Sequence, residues 1–145
     1  MKKMLSLLAV ALTVFAVACN DDDDAKQIDR LDPVVVEKIE ALYPASRVVD
    51  VDYYQNYTEV DIMDGATPRE VYFDPQGAWI RTETDVRVAD LPSAVTNAIA
   101  GSEYASLRLD DADFVNTPEG DYYLVELDSN PDVYLSITVD GVILL

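Results

Sequence analysis

Past residue 30 the chain switches between two hydrophobic periods. Asp32-Pro33 opens a segment in which Val35, Ile39, Leu42 and Tyr43 fall at spacing 0, 4, 7, 8. That spacing places them on one face of a helix. Asp is a good N-cap and Pro suits the first helical position. Pro44 ends the segment. Leu91-Pro92 opens a second helix, with Leu91, Val95, Ala98 and Ile99 at the same spacing and Gly101 as its stop. Between and after these helices the period falls to two, the mark of half-buried strands. Val49, Val51 and Tyr53 alternate with acids, and Tyr57 to Met63 alternates likewise. Turns at 64–68 and 74–77 bracket a strand from Glu70 to Phe73, with Ala78 to about Thr84 returning. In the second half Leu107 and Leu109 alternate with charge. Strands are predicted at Tyr122 to Leu127, Val133 to Val139 and Val142 to Leu145, and Asp140-Gly141 makes the last hairpin turn.

The predicted order is helix, four strands, helix, four strands, read as two tandem repeats over about 28–88 and 89–145. Gly77 and Gly141 fall at matching points. The expected fold class is α+β, an antiparallel sheet with helices packed on one face. One unit of about 55 residues would have a marginal core, and joining two enlarges it.

The N-terminus follows another pattern. Lys2 and Lys3 precede an apolar run from Met4 to Val17, and Ala16-Val17-Ala18 leads into Cys19, the only cysteine. Positive start, apolar stretch and small residues make a secretory signal, expected over 1–18. The run is shorter than the roughly 20 residues a membrane span requires. Small residues ending on a lone Cys resemble a bacterial lipobox, with Ala16 where Leu is usual. The resemblance implies cleavage before Cys19 and acylation of that residue, hence a bilayer partner. Two or three acyl chains anchor stably where one does not. An ordinary secreted protein with a free thiol is the alternative. Asp21, Asp22, Asp23 and Asp24 follow, and such a run stays extended and solvated. It makes 19–27 a tether. It also resembles the tag that sends some Gram-negative lipoproteins to the outer face of the outer membrane. The expected location is therefore the outer membrane, lipid-anchored, at the cell surface rather than the periplasmic face.

Composition narrows the function. Acids outnumber bases 28 to 10, for a formal charge of −18. Such a surface repels phosphate backbones, so no nucleic-acid partner is expected. The chain has no His, which removes the commonest general base and a common zinc ligand. No catalytic residues, cofactor or metal ligands are assigned. Consecutive or alternating acids such as Asp50/Asp52 and Asp111/Asp113 lack the spacing of a calcium loop.

Tyr72-Phe73-Asp74-Pro75-Gln76-Gly77-Ala78-Trp79 and Leu91-Pro92-Ser93-Ala94-Val95 resemble motifs of the PepSY-like, beta-lactamase-inhibitor-like family of secreted bacterial proteins. The likeness covers nearly all of the chain after the tether. In the second half the turn survives as Asp140-Gly141 without the tryptophan. The resemblance implies a non-enzymatic binding or inhibitory role in the envelope, toward a secreted or periplasmic hydrolase or peptidase. It carries no site residue onto this chain.

Aromatic residues supply the candidate binding surface. The chain has nine Tyr against three Phe and one Trp. If helices cover one sheet face, the other displays residues of alternate parity. Tyr54, Tyr72, Trp79, Tyr122 and Tyr134 are the candidates for such a face, since Tyr offers contact area and a hydrogen bond at low entropic cost. The competing explanations are β-propensity for the tyrosines and core packing beneath a helix for Trp79. The alternative function is a structural or adhesive surface component that binds glycan or calcium.

Overall fold

The structure, a computed structural model, describes residues 30–144. Cys19 and Asp21 to Asp24 lie outside the described residues, as does the leader. Helix α1 (Pro33–Leu42) starts where the side chain of Asp32 accepts the Val34 N–H at 2.8 Å. It buries Val35 and Ile39. Four strands follow: β1 (Ser46–Tyr53), β2 (Thr58–Asp64), β3 (Thr67–Phe73) and β4 (Trp79–Asp85). A 3-10 turn at Val88–Asp90 leads into α2 (Ser93–Ala100), which buries Val95 and Ile99. The chain ends in β5 (Arg108–Asn116), β6 (Tyr122–Asp128), β7 (Val133–Thr138) and β8 (Ile143–Leu144). Among the described residues no helix is long and apolar enough to cross a membrane.

The strands form one eight-stranded sheet in the order β1 to β8, each antiparallel to the next. Register decides which side is covered. Val51, Val60, Val71 and Thr82 lie in one row across β1 to β4, and Thr82 pairs with Asn116 of β5. Asn116 has the same parity as Ala112, which continues the row set through Val125 and Leu135. Both helices therefore pack on one face. Leu31, Val35 and Ile39 meet Val51, Val60, Ile62, Val71 and Phe73. Leu91, Val95 and Ile99 meet Ala112, Val125, Leu127, Leu135 and Ile137. Each helix thus has its own apolar cluster, and the sheet runs unbroken beneath both.

Local chemistry shifts several element bounds from the sequence reading. The turn expected over 64–68 contracts to Gly65-Ala66, because Gly65 takes φ +63° and closes a two-residue hairpin. β3 thus begins at Thr67 and includes Pro68. β5 runs through Asp110-Asp111 because a bulge between Leu109 and Asp111 absorbs the extra residue. β1 has a similar bulge between Val48 and Asp50. At the C-terminus β7 stops at Thr138 and β8 keeps only two described residues.

Candidate functional site

The second face of the sheet has no helix over it. Alternate parity places Asp52, Glu59, Tyr72 and Arg81 in one row across β1 to β4, and Asp50, Asp61, Glu70 and Glu83 in the next. Further rows bring Asp85 opposite Asp113, and Asp111 opposite Glu126 and then Tyr134. Carboxylates from β1 through β6 thus share one surface.

An aromatic run marks one end of this face. The Tyr54 and Tyr57 rings stack at 4.4 Å, and Tyr57 meets Tyr72 at 5.8 Å. The Arg81 guanidinium lies 3.8 Å from the centre of the Tyr72 ring, a close cation–π contact. Arg81 Nε also donates to Glu83 at 2.6 Å, and the Tyr72 hydroxyl donates to Glu70 at 2.7 Å. Tyr72 is buried, and burial together with that bond holds its hydroxyl well above the usual phenol range. Apart from Arg81–Glu83, the carboxylates of these rows have no ion pair among the described residues.

Desolvation and mutual repulsion act together on these acids. Burial first, then Glu83, Asp111, Asp85 and Glu70, push Asp113 up to about 6. Asp61 is raised by burial and by Glu70, Asp50 and Asp52. Its Oδ1 is buried without a hydrogen-bond partner. Glu59 is raised by burial, then by Glu70 and Asp61. A trough of about 230 Å³ lies among Pro68, Glu70, Glu83, Asp85 and Asp113. Small-molecule sites usually take about 300 Å³ or more. No three His, Cys, Asp or Glu side chains among the described residues gather to hold a metal ion.

The residues expected on a binding face divide. Tyr54, Tyr72, Tyr122 and Tyr134 all belong to the open face, but they do not form one patch. Tyr54 and Tyr72 share the stack near β1 to β3. Tyr122 lies in the row of Glu83 and Val115. Tyr134 stands apart on β7, 58% exposed and directly opposite Glu126. Trp79 is on the other side. It packs on the α1 cluster, its Nε1 donates to Thr82 Oγ1 at 3.0 Å, and it lines a groove with Val34, Lys38 and Pro118. The bulge between Tyr72 and Phe73 in the β3–β4 pairing sets Trp79 opposite Phe73, on the helix side. Tyr57 and Arg81 belong to the site although neither is among the five aromatic candidates of the sequence. Their parity was the available signal, since Tyr57 is two residues from Glu59 and Arg81 two from Glu83.

The family profile of the beta-lactamase-inhibitor-like, PepSY-like proteins matches residues 56–144. No curated protein matches the chain. Among solved structures, a BLIP-like protein from Bacteroides fragilis is 25% identical, with a TM-score of 0.70, and the match covers 86% of this chain and 89% of that one. A DUF2874 family protein from Bacteroides uniformis is 24% identical, with a TM-score of 0.68 and coverage of 79% and 87%. A Bacteroides eggerthii structure described as "putative periplasmic proteins" is 21% identical, with a TM-score of 0.63 and coverage of 79% and 86%.

Proposed function

The chain belongs to the PepSY-like, beta-lactamase-inhibitor-like family, and from that premise we propose that it is a non-enzymatic binding module that docks a protein partner on the open face of its sheet. The observation that carries this reading is a sheet covered by helices on one side only, with the Tyr54–Tyr57–Tyr72–Arg81 run on the other. Tyr and Arg are the residue types that most often anchor protein interfaces. The partner class is a secreted or periplasmic hydrolase or peptidase, held in check by occupancy of this face. The inhibitor-like family description and the BLIP-like neighbour support that class.

The domain is held at the outer membrane by acylated Cys19, with Asp21 to Asp24 directing it to the cell surface. The leader and the periplasmic description of one neighbour support an envelope location. We also read 28–88 and 89–145 as tandem repeats. Val35 and Ile39 are matched by Val95 and Ile99. The Asp50 side chain accepts the Val51 N–H at its bulge, and Asp111 accepts that of Ala112 at the other. Gly77 backs onto Val34 of α1 and Gly141 onto Ala94 of α2, the second helical residue in each case.

A photo-crosslinking amino acid at Tyr54, compared with one at Tyr53 on the helix side, tests the docking reading in cells that make the full chain. Capture of one discrete protein from position 54 alone is the expected result. Equal capture from both positions, or none from 54, overturns it. Membrane retention of Cys19→Ala equal to that of the wild type overturns the anchor.

A further inference from the structure

The open face offers more than area; it offers acidic charge that the described residues balance only in part. Asp50, Asp61, Glu70 and Glu83 stand directly opposite one another on four neighbouring strands, an arrangement that disfavours the sheet when all are ionised. The neighbouring helix-side row holds the buried Val51, Val60, Val71 and Thr82, so the acids cannot turn away on that flank.

The face also contains an internal example of what satisfies it. Arg81, which shares that face with Arg47 and Arg108, uses both resources at once: the Tyr72 ring at 3.8 Å and the Glu83 carboxylate at 2.6 Å. A planar guanidinium suits that pairing of ring face and carboxylate. Similar resources recur nearby, where Asp52, Glu59, Asp61, Glu70, Asp85 and Asp113 have no ion pair among the described residues. The stacked Tyr54 and Tyr57 rings lie among Asp52, Glu59 and Asp61, whose charges hold the Tyr54 hydroxyl above its ordinary range. The trough of Glu70, Glu83, Asp85 and Asp113 has the volume of a side chain, not of a cofactor.

Resting on the docking reading above, we propose that the partner of the open face is a protein with a basic surface, whose Arg or Lys side chains seat in the carboxylate trough and on the Tyr54–Tyr57 shelf. Charge complementarity argues for this occupant. A chain of net charge −18 repels phosphate polymers and anionic lipid, while it steers a basic protein toward the face that concentrates its field. A lone metal ion does not answer to the arrangement, because the carboxylates are spread along rows rather than gathered around a point. A convex protein surface carrying several separated cations does.

The test uses hen lysozyme as a compact basic probe and its succinylated, acidic form as control, with the full mature chain. Binding is followed by calorimetry from 50 to 200 mM NaCl. Two triple variants remove the same charge. One, Asp61→Asn/Glu70→Gln/Asp113→Asn, lies on the open face. The other, Glu37→Gln/Glu40→Gln/Glu103→Gln, lies on exposed positions elsewhere. Circular dichroism confirms that both fold, and the open-face set relieves repulsion rather than removing core. The proposal expects salt-sensitive binding of native lysozyme, no binding of the succinylated form, a loss of at least tenfold for the open-face variant, and a change within twofold for the other. Equal losses in the two variants, or no binding of native lysozyme, overturn it. Crosslinking from position 54 reads the docking surface independently. Capture of an acidic partner, insensitive to salt, leaves that surface standing and overturns the basic partner alone.

Discussion

Thr82 is the one polar side chain fully buried among the described residues. It lies in the row of Val51, Val60 and Val71 and takes its hydrogen bond from Trp79 Nε1. A buried hydroxyl without a partner costs about 1–3 kcal/mol. Trp79→Phe should therefore destabilise the domain by about 2 kcal/mol in urea unfolding. The double variant Trp79→Phe/Thr82→Val should cost less than the single one, because it removes the orphaned group as well. A double variant that is additive in the two losses contradicts this account of Trp79. The residue keeps its hairpin position but serves the α1 cluster rather than the open face.

The hairpins are where element and helix lock together. Gly77 and Gly141 adopt φ of 81° and 85°, a region that costs other residues roughly 1–2 kcal/mol. The two differ in what a Cβ would meet. At Gly77 it comes 3.1 Å from a Val34 methyl, which can move; at Gly141 it comes 2.6 Å from the Ala94 carbonyl oxygen, which is helix backbone. Gly77→Ala should lower the thermal midpoint modestly. Gly141→Ala should lower it further, by more than about 3 kcal/mol in free energy, since α2 must shift. Equal losses measured by calorimetry would mean that strain alone, and not the helix contact, sets the cost.

For the molecule as a whole, the acidic face sets the response to pH. Asp113 is pushed up to about 6, well above the ordinary carboxylate range, by burial and by Glu83, Asp111, Asp85 and Glu70. The folded state therefore binds the proton more tightly than the unfolded one. The penalty is absent below the unfolded value, grows as pH rises between about 4 and 6, and is complete above 6. Asp61 and Glu59 are raised in the same direction. Thermal unfolding should show a higher midpoint at pH 5 than at pH 7.5. Asp113→Asn should raise the midpoint at pH 7.5 and flatten the profile. Added salt at pH 7.5 should stabilise the protein by screening the partly exposed acids. A midpoint that falls from pH 7.5 to 5 would show that the acid rows do not repel as their register implies.

The helices, most strands and the α+β class were legible in local pattern, since spacing of Val35 and Ile39 or alternation of Val60 and Ile62 follows from how one segment buries one face. The parity of Tyr53 against Tyr54 and of Tyr122 against Tyr123 was legible for the same reason. Charge excess and the leader with Cys19 were written in order along the chain. The tertiary structure decided what depends on pairing between distant segments. Antiparallel register set Asp61, Glu70 and Glu83 side by side, although they come from three separate strands. A bulge sent Trp79 to the helix side while Tyr72 stayed on the open one. The stack of Tyr54, Tyr57, Tyr72 and Arg81 joins four positions that no single period relates. Local periodicity says which side of its own strand a residue occupies; only the register between strands says which residues it stands beside.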